Sequence, residues 1–167
     1  MIEKLDVASY PRQSLLAPKI HLNLLPSFLL SNYLRPMIQV VCALITGPEG
    51  VLVTQRGPTQ DQSGKWEFPG GKVQPGETPP QALVREIAEE LHLTIMPLEP
   101  LPPVQAFTGT RWIELLPFLC RIDAGILTLT EHQAAKWVMH PELAALDWCP
   151  ADVPVYQQYL RQFGHSL

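Results

Sequence analysis

The alternation of apolar and polar positions divides the first half of the chain into strands and turns. A β-favouring run at 38–45 is almost wholly apolar, which predicts a strand at the centre of a sheet. Glycine and proline mark a turn at 46–50, and a second apolar run returns at 51–56. Residues 66–68 alternate in polarity after a polar loop. These patterns predict three strands before the first helix.

The second half shows a similar order of patterns. A proline-rich stretch at 97–103 predicts a connection, and two β-favouring runs at 104–107 and 112–121 predict a hairpin. Another strand is expected around 136–138, and helical spacing at 153–163 predicts a terminal helix. Strands, one helix, more strands and a last helix together predict an α+β layered sandwich.

Between these halves, an irregular loop leads into a sharply started helix. Four glycines and prolines within seven residues exclude regular structure at 70–76. Thr78 is a favourable N-cap, and Gln81 completes a Thr-x-x-Gln capping box. Residues 82–91 are compatible with a helix throughout.

Acidic residues gather on one side of this helix. Glu86, Glu89 and Glu90 are neighbours at i, i+3 and i+4, and each like-charged pair costs about 0.2–0.5 kcal/mol. A bound cation would offset that cost, and hard divalent ions take oxygen ligands. The alternative is a solvated acidic face. The preceding glycine loop and the adjacent Arg85 favour the metal interpretation. The opposite side predicts a buried face of Leu83, Val84, Ile87, Ala88 and Leu91.

The spacing of these residues resembles a known motif. Gly71 is followed after five residues by Glu77 and after seven more by Arg85-Glu86-Ile87-x-Glu89-Glu90-x-His92-Leu93. This resembles the Nudix box, G-x5-E-x7-R-E-U-x-E-E-x-G-U with U apolar, at every defined position except His92. The glycine of the pattern ends the helix in a left-handed conformation. Histidine adopts that conformation at an energetic cost, so the substitution bears on stability more than on chemistry.

The likeness runs from about Met37 to Leu160 and is closest to the MutT-like branch of the Nudix hydrolase family, within it to the bacterial CTP pyrophosphohydrolases. The resemblance implies an α/β/α sandwich with a mixed central sheet over residues 37–167. It also implies hydrolysis of a nucleoside triphosphate to monophosphate and pyrophosphate. Mg²⁺, or Mn²⁺ in its place, would neutralise developing charge and lower the pKa of a bound water.

The resemblance also assigns roles to single residues. The implied metal ligands are Glu86, Glu89, Glu90 and the carbonyl of Gly71, with that of Gly70 as an alternative. Glu131 resembles a loop glutamate near the metal and is the leading candidate for the general base or a further metal-linked carboxylate. Glu89 or Glu90 are the other candidates for the base. Arg85 is expected to orient the carboxylates, and Glu77 to hold the loop.

Asp152 lies in a segment that resembles the base-reading segment of these relatives. The 8-oxo-guanine sanitising relatives carry asparagine there, whereas cytidine-type relatives carry aspartate. An ionised aspartate only accepts hydrogen bonds, which suits the exocyclic amine of cytosine. The alternative role of Asp152 is an N-cap of the terminal helix. Ala106 stands near the place where the cytidine-type relatives have an arginine, which is a departure from their pattern.

Five further residues are candidate substrate contacts. Arg56 and Arg111 are candidates for phosphate or base contacts, and each is alternatively a surface cation. Lys72 follows the glycines and is a candidate for steadying phosphates. Phe68 and Trp112 are candidates for stacking on a base, although aromatic residues in strands are more often part of the core.

Composition indicates the number of domains, the compartment and the class of partner. A chain of 167 residues with 46% hydrophobic content is expected to form one compact domain, and its net charge of −4 lacks the basic footprint of nucleic-acid binding. The three cysteines show no metal-ligand or disulfide spacing, which favours the cytoplasm. The expected partner is a nucleotide, with no nucleic-acid polymer and no membrane, and the protein is expected to be a monomer or a homodimer.

Residues 1–36 are expected to be an N-terminal extension. Their apolar run is interrupted by Pro26 and is too short for a membrane span, and it lacks the layout of a signal peptide. The extension is interpreted either as an arm that packs on the domain or on a second copy, or as an addition upstream of a true start at Met37.

Three other functions remain open from the sequence. The nearest is 8-oxo-dGTP hydrolysis, which differs only in the base pocket. The second is hydrolysis of another nucleoside diphosphate derivative, because one fold serves many substrates. The third is a nucleotide sensor without catalysis, which loss of a box carboxylate would indicate. All the box carboxylates are present.

Overall fold

The computed structural model describes residues 37–108 and 111–164 of the chain. The predicted extension at 1–36 and the centre of the predicted hairpin turn at 109–110 lie outside the described residues. No helix in the described ranges has the length and apolar character that crossing a bilayer requires.

The described residues form seven strands, two α-helices and one 3₁₀ helix. In chain order these are β1 Ile38–Gly47, β2 Gly50–Gln55, β3 Trp66–Glu67, α1 Pro79–Leu91, β4 Leu93–Pro100, β5 Val104–Phe107, β6 Trp112–Gly125, β7 Ala134–Val138, the 3₁₀ helix His140–Ala145 and α2 Val153–Phe163.

The strands of the described ranges form one mixed sheet in the order β3-β2-β1-β6-β4, with β5 also paired to β6 and β7 to β2. β1 and β6 run parallel, from Ile38 opposite Ile113 to Ile45 opposite Cys120. The other pairings are antiparallel. β1 therefore lies at the centre of the sheet, as its apolar run predicts.

Alternate side chains of β1 enter two separate cores. Val41, Ala43 and Ile45 pack in a cluster with the buried face of α1, which includes Leu83 and Ile87. The intervening Cys42 and Leu44 belong to a second cluster that includes the α2 residues Val155 and Tyr159. Because successive strand residues point to opposite faces, α1 and α2 cover opposite faces of the sheet. The predicted α/β/α sandwich with a mixed sheet is confirmed.

The prediction of a connection at 97–103 is wrong for its first four residues, which belong to β4. β4 lies at the edge of the sheet, and its register with β6 shifts between Pro97 and Glu99. Prolines are tolerated on edge strands and at bulges because a missing N–H there leaves no ladder bond unmade. The proline-rich composition therefore predicted a connection where the structure has the end of a strand.

Both predicted ends of α1 are confirmed. The side chain of Gln81 accepts the backbone N–H of Thr78 at 2.8 Å, as in a capping box. His92 follows the last turn in the left-handed conformation with φ 54°, and its N–H donates to the carbonyl of Ala88. The helix therefore stops where the glycine of the motif would stop it.

Candidate active site

The glycine loop lies directly against the central strand. The N–H of Val41 donates to the carbonyl of Gly71 at 2.8 Å, and the N–H of Ala43 donates to the carbonyl of Pro69 at 2.9 Å. A Cβ on Gly70 would lie 2.1 Å from the carbonyl oxygen of Val41. Only glycine permits this close approach. The two hydrogen bonds hold the loop backbone on β1, just before the acidic helix in the chain.

Gly71 makes room for the first acid of the helix. A Cβ at this position would lie 2.3 Å from the carboxyl carbon of Glu86. The Glu86 carboxylate therefore occupies the space that any other residue at 71 would fill. The carbonyl oxygen of Gly71 has two lone pairs, and the hydrogen bond from the N–H of Val41 uses one of them. The second lone pair is not used by this bond.

Arg85 links the loop to the acidic face. Its Nη2 and Nε donate to the two oxygens of Glu77 at 2.6 and 3.1 Å, and its Nη1 lies 3.0 Å from Glu86 and 3.3 Å from Glu89. The hydrogen bond from Arg85 lowers the pKa of Glu77, which also accepts the N–H of Gln74 at 2.7 Å. This guanidinium therefore contacts three box carboxylates, Glu77, Glu86 and Glu89, and the bonds to Glu77 link it to the loop.

Glu90 is a largely buried acid whose surroundings disfavour its ionised form. Burial, together with the charges of Glu86, Glu67 and Glu131, raises the pKa of Glu90 to about 8, against a backbone hydrogen bond from Gly70. Within the described ranges, its Oε2 is buried without a hydrogen-bond partner. An acid in this state is expensive to ionise unless a cation joins it.

These observations test whether the residues fit a divalent metal ion. The donors are carboxylate and carbonyl oxygens, the ligands that hard divalent ions take. The buried oxygen of Glu90 lacks a partner, and the neighbouring carboxylates disfavour its ionised form. Glu89 differs, because its side chain is 60% exposed and paired with Arg85. The donor chemistry of Glu86 and Glu90 therefore fits a divalent ion, with Glu89 at the solvent side.

Glu131 lies on a loop that is fixed at both ends, the segment 128–133. On one side the hydroxyl and the N–H of Thr130 donate to the carbonyls of Glu89 and Glu90, at 3.0 and 3.1 Å. On the other side the N–H of Gln133 donates to the carbonyl of Gln55 in β2 at 3.0 Å. Glu131 is exposed between these anchors and acts electrostatically on Glu90. The structure therefore brings the predicted loop acid to the box.

A second polar cluster lies beside the box. Ligand atoms of Glu67, Cys149 and Asp152 lie within 4.8 Å of one another. The segment that carries the last two is held to β3, because the N–H of Cys149 donates to the carbonyl of Trp66 at 2.8 Å. Arg56 pairs with Glu67 at 2.6 Å. A thiol and a nearby guanidinium do not suit Mg²⁺, so this cluster fits a polar ligand group better than an ion.

Asp152 is the most buried acid of this cluster, with 5% of its surface exposed. Burial raises its pKa to about 8, although the N–H of Phe68 donates to its Oδ1 at 3.1 Å. At neutral pH the free protein therefore holds Asp152 largely as a carboxylic acid, which both donates and accepts. The expectation of an ionised, accept-only group thus applies only above that pKa. Asp152 occupies the N-cap position of α2, as the alternative interpretation expected, but its side chain makes no capping hydrogen bond there.

The remaining candidate contacts differ in their exposure. Phe68 is 3% exposed and packs 4.9 Å from the ring of Trp148, so its ring belongs to the core and offers no open face for stacking. Arg56 is partly buried in its ion pair. Lys72 is exposed beside the glycine loop, and Arg111 is exposed between β5 and β6. Trp112 is 37% exposed and lies against Phe107.

Neither Glu67 nor His132 is predicted by the sequence as a site residue. Glu67 contacts Arg56, and its second oxygen lies 3.1 Å from Nε2 of His132. The available signal for Glu67 was a charge between two aromatic residues, directly before the glycine loop. Nothing in the spacing of His132 pointed to Glu67, because the two are 65 positions apart.

The chain is similar to known proteins over most of its length. The model of the NUDIX domain matches residues 36–159. The chain is 38% identical over 124 residues to the CTP pyrophosphohydrolase of Escherichia coli, covering 74% of this chain and 92% of that protein. It is 33% identical to the 8-oxo-dGTP diphosphatase of Haemophilus influenzae, covering 77% and 95%.

A solved structure shares the architecture. The solution structure of the E. coli ORF135 protein superposes with a TM-score of 0.68 at 36% identity, covering 78% of this chain and 93% of that one. The family match at 36–159 contains the motif at 71–93 and nearly all of the sandwich. The chain therefore belongs to the Nudix hydrolase family.

Proposed function

We propose that this protein is a Mg²⁺-dependent nucleoside triphosphate pyrophosphohydrolase, for which Mn²⁺ can replace Mg²⁺, acting on CTP, dCTP or modified cytosine nucleotides. The observation that supports it most is Glu90, an acid with an unpartnered buried oxygen and a pKa raised to about 8, set among Glu86, Glu67 and Glu131. That arrangement is costly in the absence of a cation and favourable with one.

The residues that would hold the ion are Glu86, Glu89, Glu90 and the carbonyl of Gly71. Mg²⁺ in this place supplies charge stabilisation for the phosphates and acidifies a bound water. Arg85 keeps Glu86 and Glu89 oriented through its hydrogen bonds, and Glu77 keeps Arg85 in place. The oxygen atoms are thus fixed before the substrate arrives.

The reaction is water attack at an internal phosphorus. The bond between that phosphorus and the pyrophosphate oxygen breaks, leaving the monophosphate and pyrophosphate. The proton of the attacking water passes to a carboxylate, for which Glu131 is our first choice, with Glu89 and Glu90 as alternatives. Glu131 is exposed and held between α1 and β2, which suits a base that faces the substrate. Lys72 and Arg111 are exposed cations available to the phosphates.

Recognition of the nucleobase is assigned to the cluster of Glu67 and Asp152. Two carboxyl groups near one another accept hydrogen bonds, and the amine of cytosine donates them. A guanine-type carbonyl would oppose an ionised Asp152, which is costly in a buried site, so the cytosine assignment requires the nucleotide to bind the ionised form of Asp152. Arg56 holds Glu67 from the other side. The relative that is named a CTP pyrophosphohydrolase supports the same choice.

A second candidate is 8-oxo-dGTP hydrolysis. The observation that favours it is the pKa of Asp152, which burial raises to about 8. In its protonated form the group donates a hydrogen bond and tolerates a carbonyl on the base. Relatives named 8-oxo-dGTP diphosphatases match over most of the chain.

The test is product analysis with Mg²⁺ across natural, oxidised and methylated nucleoside triphosphates. Parallel reactions contain Glu89→Gln, Glu90→Gln and, as a matched control, Glu142→Gln, which alters an exposed acid on the 3₁₀ helix. Release of pyrophosphate from cytosine nucleotides, lost in the first two variants only, would support the proposal. A preference for 8-oxo-dGTP would keep the mechanism and replace the base assignment. Nucleotide binding without turnover would overturn the enzyme and indicate a sensor.

We further propose a cytoplasmic enzyme, with residues 37–167 as the catalytic domain and 1–36 as an appended segment. Cys42, Cys120 and Cys149 are all free and buried, which suits a reducing compartment. The net charge of −4 favours free nucleotides over a nucleic-acid polymer. The oligomeric state is proposed as monomer or homodimer, to be measured by light scattering.

A further inference from the structure

We propose that His132 is a positioning residue that sets nucleobase selectivity by orienting Glu67, and that it joins the nucleobase pocket to the loop that carries Glu131. This inference rests on the proposed function, in which Glu67 belongs to the base pocket. His132 shows no motif spacing in the sequence, and only the folded chain brings it to Glu67.

The hydrogen bond between the two side chains has a defined donor and a defined acceptor. Nε2 of His132 lies 3.1 Å from Oε1 of Glu67, and Nη1 of Arg56 lies 2.6 Å from Oε2. A carboxylate only accepts, so Nε2 carries the proton and donates. Each oxygen of Glu67 therefore has its own donor from a different strand or loop. Two donors on opposite oxygens fix the plane of the carboxylate.

The position of His132 in the chain gives this contact a wider role. It follows Glu131 directly, within the loop that Thr130 anchors to α1 and Gln133 anchors to β2. The imidazole is the only side chain of this loop among residues 128–133 that the structure places in the buried class. It enters the protein beside Glu67 while Glu131 stays at the surface. A shift of the loop would move both groups together.

The second ring nitrogen shows that packing is not the reason for a histidine here. Among the described residues, Nδ1 of His132 is buried and has no hydrogen-bond partner. A buried polar atom without a partner lowers stability. An apolar side chain would fill the same space without that cost, so the imidazole is explained by its Nε2 contact with Glu67.

The experiment compares His132→Leu with His132→Gln in the full-length chain with Mg²⁺. UTP presents a carbonyl where CTP presents an amine, so the ratio of kcat/KM for the two substrates reports the base pocket. His132→Leu is expected to lower this ratio about tenfold, chiefly through a higher KM for CTP. His132→Gln retains a side-chain N–H donor near the Nε2 position and is expected to restore most of the ratio. If the wild-type enzyme prefers another base, the ratio is taken between its best and worst bases.

Two further variants calibrate the result. Glu67→Gln is expected to change the ratio as His132→Leu does. His140→Leu makes the same chemical change at a histidine whose Nε2 contacts the Tyr159 hydroxyl instead of Glu67, and it is expected to leave the ratio unchanged. Thermal melting of each variant identifies any that does not fold.

The proposal is overturned if folded His132→Leu lowers activity on both substrates equally, or leaves the ratio unchanged while Glu67→Gln alters it. It is also overturned if His132→Gln behaves as His132→Leu does. Absence of turnover by the wild-type protein would overturn the proposed reaction instead. Calorimetric binding of CMP and UMP without metal would then decide the role of His132, because binding of the base does not depend on chemistry.

Discussion

Asp152 and Phe68 are joined by a hydrogen bond of 3.1 Å, from the backbone N–H of Phe68 to Oδ1 of Asp152, across 84 positions of sequence. The bond fixes the carboxyl group of Asp152 beside Glu67, the residue before Phe68. It engages one of the two oxygens. The side chain of asparagine has an oxygen that can accept the same bond, so substitution at 152 alters the chemistry of the pocket while the fold is kept.

For Asp152→Asn we expect a shift of preference from cytosine toward guanine-type bases. The amide places an N–H₂ donor where the second carboxyl oxygen was, which opposes the amine of cytosine and suits a carbonyl. One buried mismatch is worth ~1–3 kcal/mol, so the ratio of kcat/KM for CTP over 8-oxo-dGTP should fall about 5- to 150-fold. Steady-state kinetics on both substrates measure it, and an unchanged ratio in a folded variant would remove Asp152 from the base pocket.

Glu90 predicts how stability depends on pH in the absence of metal. Its pKa in the folded protein, about 8, is above the ordinary value of 4.5, so the folded state binds more protons between these values. Stability without divalent ions should therefore fall as pH rises from about 4.5 to 8. Asp152 acts in the same direction from 3.8 to about 8. Thermal melting in EDTA between pH 5 and 9 measures the trend.

Glu90→Gln isolates the contribution of this residue. Removal of the buried charge should raise the Tm at pH 8.5 in EDTA by at least about 2–4 °C, which corresponds to ~1 kcal/mol for a chain of this length. Mg²⁺ should stabilise the wild-type protein and release protons below pH 8, and should do neither as strongly in the variant. Equal melting curves for both proteins at pH 8.5 would contradict the raised pKa.

Gly71→Ala is expected to weaken metal binding without unfolding the protein. The new methyl group would meet the Glu86 carboxylate, which is the flexible end of a side chain and can move aside. The Mg²⁺ concentration for half-maximal activity should rise about tenfold. Gly76→Ala is the matched control, because its Cβ meets nothing within 4 Å although its φ of 90° is unfavourable. It should lower the Tm with the metal dependence intact, and the same metal dependence in both variants would count against the role of Gly71.

His92→Gly should stabilise the protein. His92 stands in the left-handed region with φ 54°, where glycine is free of strain, and the expected gain is about 0.5–1 kcal/mol. Gln62→Gly relieves the same kind of strain at φ 60° in the loop after β2 and serves as the comparison. A lower Tm for His92→Gly alone would mean that its contact with the Thr128 carbonyl outweighs the strain. Activity should not change in either variant.

Local patterns in the sequence were sufficient for much of the fold. The run at 38–45 predicted the central strand, and the capping residues Thr78 and Gln81 predicted the start of α1. The helical spacing at 153–163 predicted α2 at its observed bounds. In each case the signal lies within a few neighbouring residues, which is the range over which periodicity and capping act.

Contacts between distant segments could not be read in this way. Glu67 lies near His132 and Asp152 only because the segment at 147–149 is hydrogen-bonded to β3 and because β7 pairs with β2. The pKa of Asp152 follows from burial, which a single sequence position does not reveal. The prolines of β4 gave a misleading local signal, because their cost depends on the strand lying at an edge.

The parallel pairing of β1 with β6 has a consequence for biosynthesis. β1 is complete at Gly47, but its second neighbour begins only at Trp112 and ends at Gly125. At a translation rate of 5–20 residues per second, one side of the most apolar strand waits roughly 4–16 s for its partner. During that interval the unpaired backbone N–H and C=O groups on that side of β1 can form hydrogen bonds with other nascent chains. The yield of native enzyme should therefore depend on how well the emerging chain is shielded by chaperones near the ribosome.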